Sequence, residues 1–92
     1  MFVVYLIQHS VTGQIYIGVS TDLKKRLVAH NSNRNASTKR KSGKWVLIYA
    51  EAYRAKSDAF SRESKLKQHG SSKQVLLQRV RASLLETKSE AG

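Results

Sequence analysis

Two short apolar runs do most to limit what this chain can become. Residues 2–7 and 45–50 are almost unbroken stretches of β-branched, aliphatic and aromatic side chains. Neither approaches the length needed to cross a bilayer, and both favour a pleated, buried strand over a helix. Residues 14–19 carry the same character and follow residues 2–8 after a Gly-containing turn, His9 to Gly13, which predicts a β-hairpin. The second run sits within residues 44–53 and reads as a strand covered on both faces.

Helical signals fill most of the remainder. Ser20 or Thr21 is placed to cap a helix ending near His30, with Asp22 in its first turn and Leu23 and Leu27 on its buried side. Ser57 and Asp58 open a second helix that Gly70 ends. A third, near residues 73–85, places Leu76, Leu77, Val80 and Leu84 on one stripe and leaves Arg79 and Arg81 off it. The predicted order is β-β-α-β-α-α: an α/β chain of the α+β kind, with a small three-stranded antiparallel sheet flanked by helices. A single domain over residues 1–86, with a polar tail at 87–92, uses the whole length.

Composition narrows the chemistry. The 92 residues hold no cysteine, which removes disulfides, disulfide-linked partners, thiolate metal sites and a cysteine nucleophile. A reducing cytoplasm agrees with that, and with an N-terminal run that lacks a secretory signal's basic flank. The expectation is a soluble cytoplasmic protein without a membrane partner. Seventeen Lys and Arg stand against six Asp and Glu, a formal charge of +11. Eight basic residues and no acid lie between Asp22 and Glu51. Such a field attracts polyanions, and nucleic acid suits it better than anionic lipid, because the basic run falls on a short helix and a polar loop.

The acids are scattered at 22, 51, 58, 63, 86 and 90, so spacing offers no carboxylate cluster for two metal ions. Glu63-Ser64-Lys65 has the E-x-K look of restriction-type nucleases, but a second acid on a preceding strand is missing except for Glu51. Three dispersed histidines are a poor start for zinc. Hydrolytic chemistry must then run on one carboxylate with His, Arg and Tyr. Tyr5 and Tyr16 share a sheet face in any regular hairpin with an even-length loop, since their numbers sum to an odd value. Taken alone, both rings read as packing residues. Arg26 and His30 are neighbours on one helix face, a pairing that is usually solvated surface. Ala59, Phe60, Glu63, Leu66 and Lys67 follow helical spacing and set Glu63 within an apolar stripe. Spacing leaves two readings for it, a buried ion pair with a lysine or Arg26, or a metal ligand.

Val3-Val4-Tyr5, followed eleven residues later by Tyr16-Ile17-Gly18, resembles the paired motifs of the GIY-YIG nuclease superfamily, with Val3 where the first motif has glycine. The stretch from Tyr16 to Asn31 is similar to the family's strand–helix segment, including an arginine ten residues past the second tyrosine. Trp45-Val46-Leu47-Ile48-Tyr49 resembles the third strand of small stand-alone members, and Arg62-Glu63-Ser64-Lys65-Leu66-Lys67 their metal-binding helix. The agreement runs from about residue 2 to 67, nearly three quarters of the chain. The late asparagine of many members has no counterpart, since none follows Asn35.

The resemblance implies a metal-dependent DNA endonuclease, a phosphodiester hydrolase acting on single-stranded, branched or duplex DNA. It implies Tyr16 as general base assisted by Tyr5, Arg26 stabilising phosphorane-like charge, His30 supporting proton transfer, and Glu63 holding one Mg²⁺ or Mn²⁺. A tyrosine near pKa 10 acts as a base at neutral pH only where cations lower that value. Gly18 is expected to admit the phosphate backbone, and Lys67, Lys39, Arg40 and Lys41 to contact DNA. The alternative is a basic nucleic-acid-binding module in which the nuclease residues are relics; it shares the charge but has no use for Glu63.

Overall fold

The computed structural model describes residues 1–32, 43–68 and 70–87. Strands β1 (Phe2–His9), β2 (Ile15–Ser20) and β3 (Trp45–Tyr53) form one antiparallel sheet in the order β2-β1-β3. Helices α1 (Leu23–Asn31), α2 (Lys56–Lys67) and α3 (Ser71–Arg79) follow the predicted order, and a 3₁₀ turn (Arg81–Ser83) ends the described helical part. The expected α+β architecture is the one observed. Among the described residues, no helix is long and apolar enough to cross a membrane.

The strand covered on both faces is β1 rather than β3. Every residue from Val4 to His9 is buried, because β1 lies between the other two strands with helices on both sides. β3 is an edge strand that alternates between partial burial and exposure. Its unbroken apolar run comes from a bulge: Leu6 pairs with Tyr49 but Ile7 pairs with Leu47, leaving Ile48 as the extra residue. Two successive residues, Ile48 and Tyr49, thereby pack against the same core.

One sheet face carries the main core, with Val4, Leu6 and Ile17 against Ala59 and Leu66 of α2, Leu76 of α3 and Val80 beyond it. The other face carries a smaller cluster, Tyr5, Ile7 and Trp45, covered by Leu23 and Leu27 of α1. The buried polar residues Gln8, His9 and Ser20 are each hydrogen-bonded, as their desolvation demands. Gln8 Oε1 accepts from the Leu85 amide at 2.7 Å, His9 Nδ1 accepts from the Val11 and Thr12 amides at 3.2 Å, and Ser20 Oγ accepts from the Asp22 amide at 2.9 Å.

Several boundaries differ from expectation. The cap of α1 is Asp22, whose carboxylate accepts from the Lys25 amide at 3.0 Å, while Ser20 holds the turn before it. The third helix stops at Arg79 rather than reaching residue 85. Leu84 is extended so that Leu85 returns to the sheet and bonds Gln8, a tertiary contact that overrides helical propensity. Thr87 lies 3.2 Å from where a Cβ on Gly13 would be, so the described start of the polar tail packs on the hairpin turn. Phe60 is exposed under the Lys56 ammonium instead of belonging to the stripe around Glu63.

Candidate active site

The register of the hairpin builds the site. Tyr5 pairs with Gly18 and Ile7 with Tyr16, an even-length connection that places both tyrosines on the α1 side of the sheet. Their ring centroids are 6.2 Å apart. A Cβ on Gly18 would fall 2.6 Å from the Tyr5 hydroxyl oxygen and 3.0 Å from the Tyr16 ring. Gly18 therefore leaves its side-chain space to Tyr5, which is a packing reason for glycine at this position.

α1 brings the next two groups. His30 sits with its ring centroid 4.8 Å from that of Tyr16 and 6.0 Å from that of Tyr5, both contacts edge-on. His30 Nε2 is 3.1 Å from the Tyr5 hydroxyl. Burial lowers the His30 pKa from its ordinary value and the Arg26 charge lowers it further, which favours a neutral ring. Burial pushes Tyr5 up to about 12, and the charges of Tyr16 and Glu63 add to that; Arg26, by charge and hydrogen bonding, opposes it. Tyr5 is thus an unionised hydroxyl at neutral pH. A hydroxyl that keeps its proton can donate it to the bare Nε2 of a neutral His30, and the 3.1 Å separation suits that bond. A depression of about 460 Å³ opens beside Arg26, lined by Ser20, Thr21, Asp22, Lys25 and Ala29.

α2 supplies the carboxylate. Ala59 and Leu66 anchor it in the core on the opposite face, and Glu63 lies between them along the helix. The Glu63 side chain is 18% exposed and bonds Lys67 Nζ at 3.0 Å, while that ammonium stands 5.7 Å from the Tyr16 ring centroid. The lysine pairing that spacing allowed is present, and the Glu63 field reaches Tyr5 across the same space. Tyr5, Tyr16, Arg26, His30, Glu63 and Lys67 thus gather around the β2 edge. Lys39, Arg40 and Lys41 lie outside the described residues.

Trp45 and Asn31 complete this face without having been singled out by sequence. The Trp45 ring lies 6.2 Å from His30 and 5.3 Å from His9 by centroid, and its buried indole N–H has no hydrogen-bond partner among the described residues. Asn31 bonds the Trp45 backbone twice. Glu51, weighed as a second acid for Glu63, belongs elsewhere. It accepts from Tyr49, Tyr53 and Arg62 on the opposite face, beside a cavity of about 650 Å³.

Among the described residues no three His, Cys, Asp or Glu side chains gather as a metal cluster. A single carboxylate still fits Mg²⁺, which keeps several waters and takes further oxygens from substrate phosphate. Glu63 offers one hard oxygen donor beside the exposed edge of Tyr16, with only a half-exposed lysine to displace.

The GIY-YIG catalytic domain, as a family model, matches residues 1–75 of this chain. The chain is 42% identical over 55 residues to a UPF0213 protein of Streptococcus pneumoniae serotype 4, covering 60% of this chain and 56% of that protein. It is 38% identical over 56 residues to a UPF0213 protein of Streptococcus agalactiae serotype V, covering 61% and 64%. A UPF0213 protein of Staphylococcus saprophyticus is 31% identical over 65 residues, covering 71% and 79%. The match thus spans little more than half the length of the Streptococcus pneumoniae relative. No solved structure matches the chain. With the family match extending over the hairpin, α1, β3 and α2 that build this face, the chain belongs to the GIY-YIG family of nuclease-type catalytic domains.

Proposed function

We propose that the chain is a divalent-metal-dependent DNA endonuclease that hydrolyses phosphodiester bonds at the Tyr5–Tyr16–Arg26–His30–Glu63 face. The observation that carries this is the meeting of an unionised buried tyrosine, a half-exposed tyrosine, a neutral histidine, an arginine and one carboxylate from four separate elements, β1, β2, α1 and α2. A module that only binds an anion gains nothing from a half-buried carboxylate in its binding site.

The two tyrosines divide the work. Tyr16 is 37% exposed and stands where a water can reach its hydroxyl, so it gives its own proton to solvent and, as the phenolate, takes that of the attacking water. Tyr5, 1% exposed and held unionised, is no base at neutral pH. It orients His30, which relays or stores a proton at Nε2. Arg26 places a planar fork of donors on the side where charge builds on the phosphorus oxygens. Glu63 would hold the cation, which when bound neutralises charge on the leaving oxygen. Lys67, released from Glu63, is a phosphate contact.

Cleavage assays on single-stranded, duplex and branched DNA with Mg²⁺, Mn²⁺ or excess chelator test this reading. Cutting of at least one substrate with metal and none with chelator is expected. No cutting of any substrate in either metal, with DNA still bound, would replace the enzyme by a binding module.

A further inference from the structure

α1 carries two of the proposed catalytic groups, yet none of its residues is buried. Its apolar hold on the sheet is limited to Leu23 and Leu27, both half-buried against Tyr5, Ile7 and Trp45. Its last residue makes the firmer attachment. Asn31 Nδ2 donates to the Trp45 carbonyl at 3.1 Å, and Asn31 Oδ1 accepts from the Trp45 amide at 2.8 Å. One amide side chain thus supplies both bonds that a neighbouring strand would give, on the outer side of edge strand β3. His9 pairs with Trp45 on the inner side. The indole N–H contributes no bond among the described residues, so ring packing and this backbone pair set where Trp45 sits.

His30 immediately precedes Asn31, so the clamp fixes the last turn of α1 against the sheet. That turn carries the imidazole into the space bounded by Tyr16 at 4.8 Å, Tyr5 at 6.0 Å and Trp45 at 6.2 Å. Among the described residues, releasing the clamp leaves the helix end held by Leu27, one turn back, and by the contacts of the imidazole itself. The clamp and the 3.1 Å contact of His30 Nε2 with the Tyr5 hydroxyl are, among the described residues, the hydrogen bonds that tie that turn to the sheet.

We propose that Asn31 is the positioning residue of this face, holding His30 in register with Tyr5 and Tyr16 through the Trp45 backbone. The proposal rests on the nuclease reading for its kinetic consequence but not for its structural one. Full-length wild type, Asn31→Ala, Asn31→Asp and Gln8→Ala are compared by thermal melt, by NMR titration of the His30 ring without DNA or metal, and by single-turnover cleavage. Gln8→Ala serves as the control, since it removes the Leu85 bonds on the other face.

Asn31→Ala is expected to let the His30 pKa rise toward its ordinary value as burial is relieved. It should cut about 10- to 100-fold more slowly while DNA affinity stays within a few-fold. Asn31→Asp keeps the acceptor for the Trp45 amide, so its rate should fall between Asn31→Ala and wild type; it carries the rate test if Asn31→Ala does not fold. Gln8→Ala should melt earlier with the His30 titration and rate of wild type. A wild-type His30 titration in Asn31→Ala, or a rate loss that Gln8→Ala shares, would overturn the proposal. If wild type cuts no DNA, the nuclease reading fails and the His30 titration alone decides this one.

Discussion

Tyr5 and Gly18 act as one unit at the smallest scale. The ring fills the space that a side chain at position 18 would take, and its hydroxyl reaches His30 only because that space is free. Gly18→Ala should therefore destabilise by about 1–3 kcal/mol through overpacking and push Tyr5 off His30, measured by chemical denaturation. Near-normal stability with an intact Tyr5–His30 contact would remove Gly18 from this role. Tyr5 also titrates late, at about 12 against an ordinary 10.0. Its folded pKa lies above the unfolded one, so its contribution to stability is full below the ordinary value and is lost as pH rises through the folded value. An ultraviolet difference titration of wild type against Tyr5→Phe should show a phenol ionising near pH 12. The shared face of the two tyrosines was legible from the parity of their numbers. Gly18's role was not, because it depends on which residue faces it across the ladder, and parity does not fix that.

β3 is the frame to which both functional helices are tied, though it contributes none of the proposed catalytic groups. Asn31 ties α1 to its start, and Arg62 of α2 ties to Glu51 near its end with Nε 2.8 Å from Oε1. Arg62 neighbours Glu63, so this ion pair helps set the helix that presents the carboxylate. Burial works to raise the Glu51 pKa, but hydrogen bonds from Tyr49, Tyr53 and Arg62 outweigh it and hold the carboxyl below its ordinary range. Its stabilisation is present above the ordinary carboxylate pKa and lost as pH falls toward the folded one. Glu51→Gln should cost about 1–3 kcal/mol near neutral pH, and the gap to wild type should narrow in acid; thermal melts across pH check both. Periodicity revealed the existence and order of the elements. It misplaced the covered strand, because the bulge at Ile48 makes an edge strand look apolar throughout, and it overran α3, because the return of Leu85 to Gln8 leaves no local signal.

The whole molecule sets a hydrophobic core on one side of a three-stranded sheet and an aromatic, basic face on the other, with α2 supplying groups to both. A formal charge of +11 makes salt-dependent DNA affinity the expectation at this scale. Replacing Lys39, Arg40 and Lys41 with alanine should flatten the log–log salt dependence by about 0.9 per lost contact on duplex and about 0.7 on single strands. An unchanged slope would place those residues off the DNA. Paired DNA binding and single-turnover cleavage by wild type and Glu63→Ala separate a metal-holding Glu63 from one that only pairs with Lys67. Glu63→Ala is expected to bind DNA as tightly as wild type or more tightly, since a negative charge leaves an anion site, and to lose metal-dependent cleavage. Cleavage by Glu63→Ala at the wild-type rate would contradict the metal-holding role.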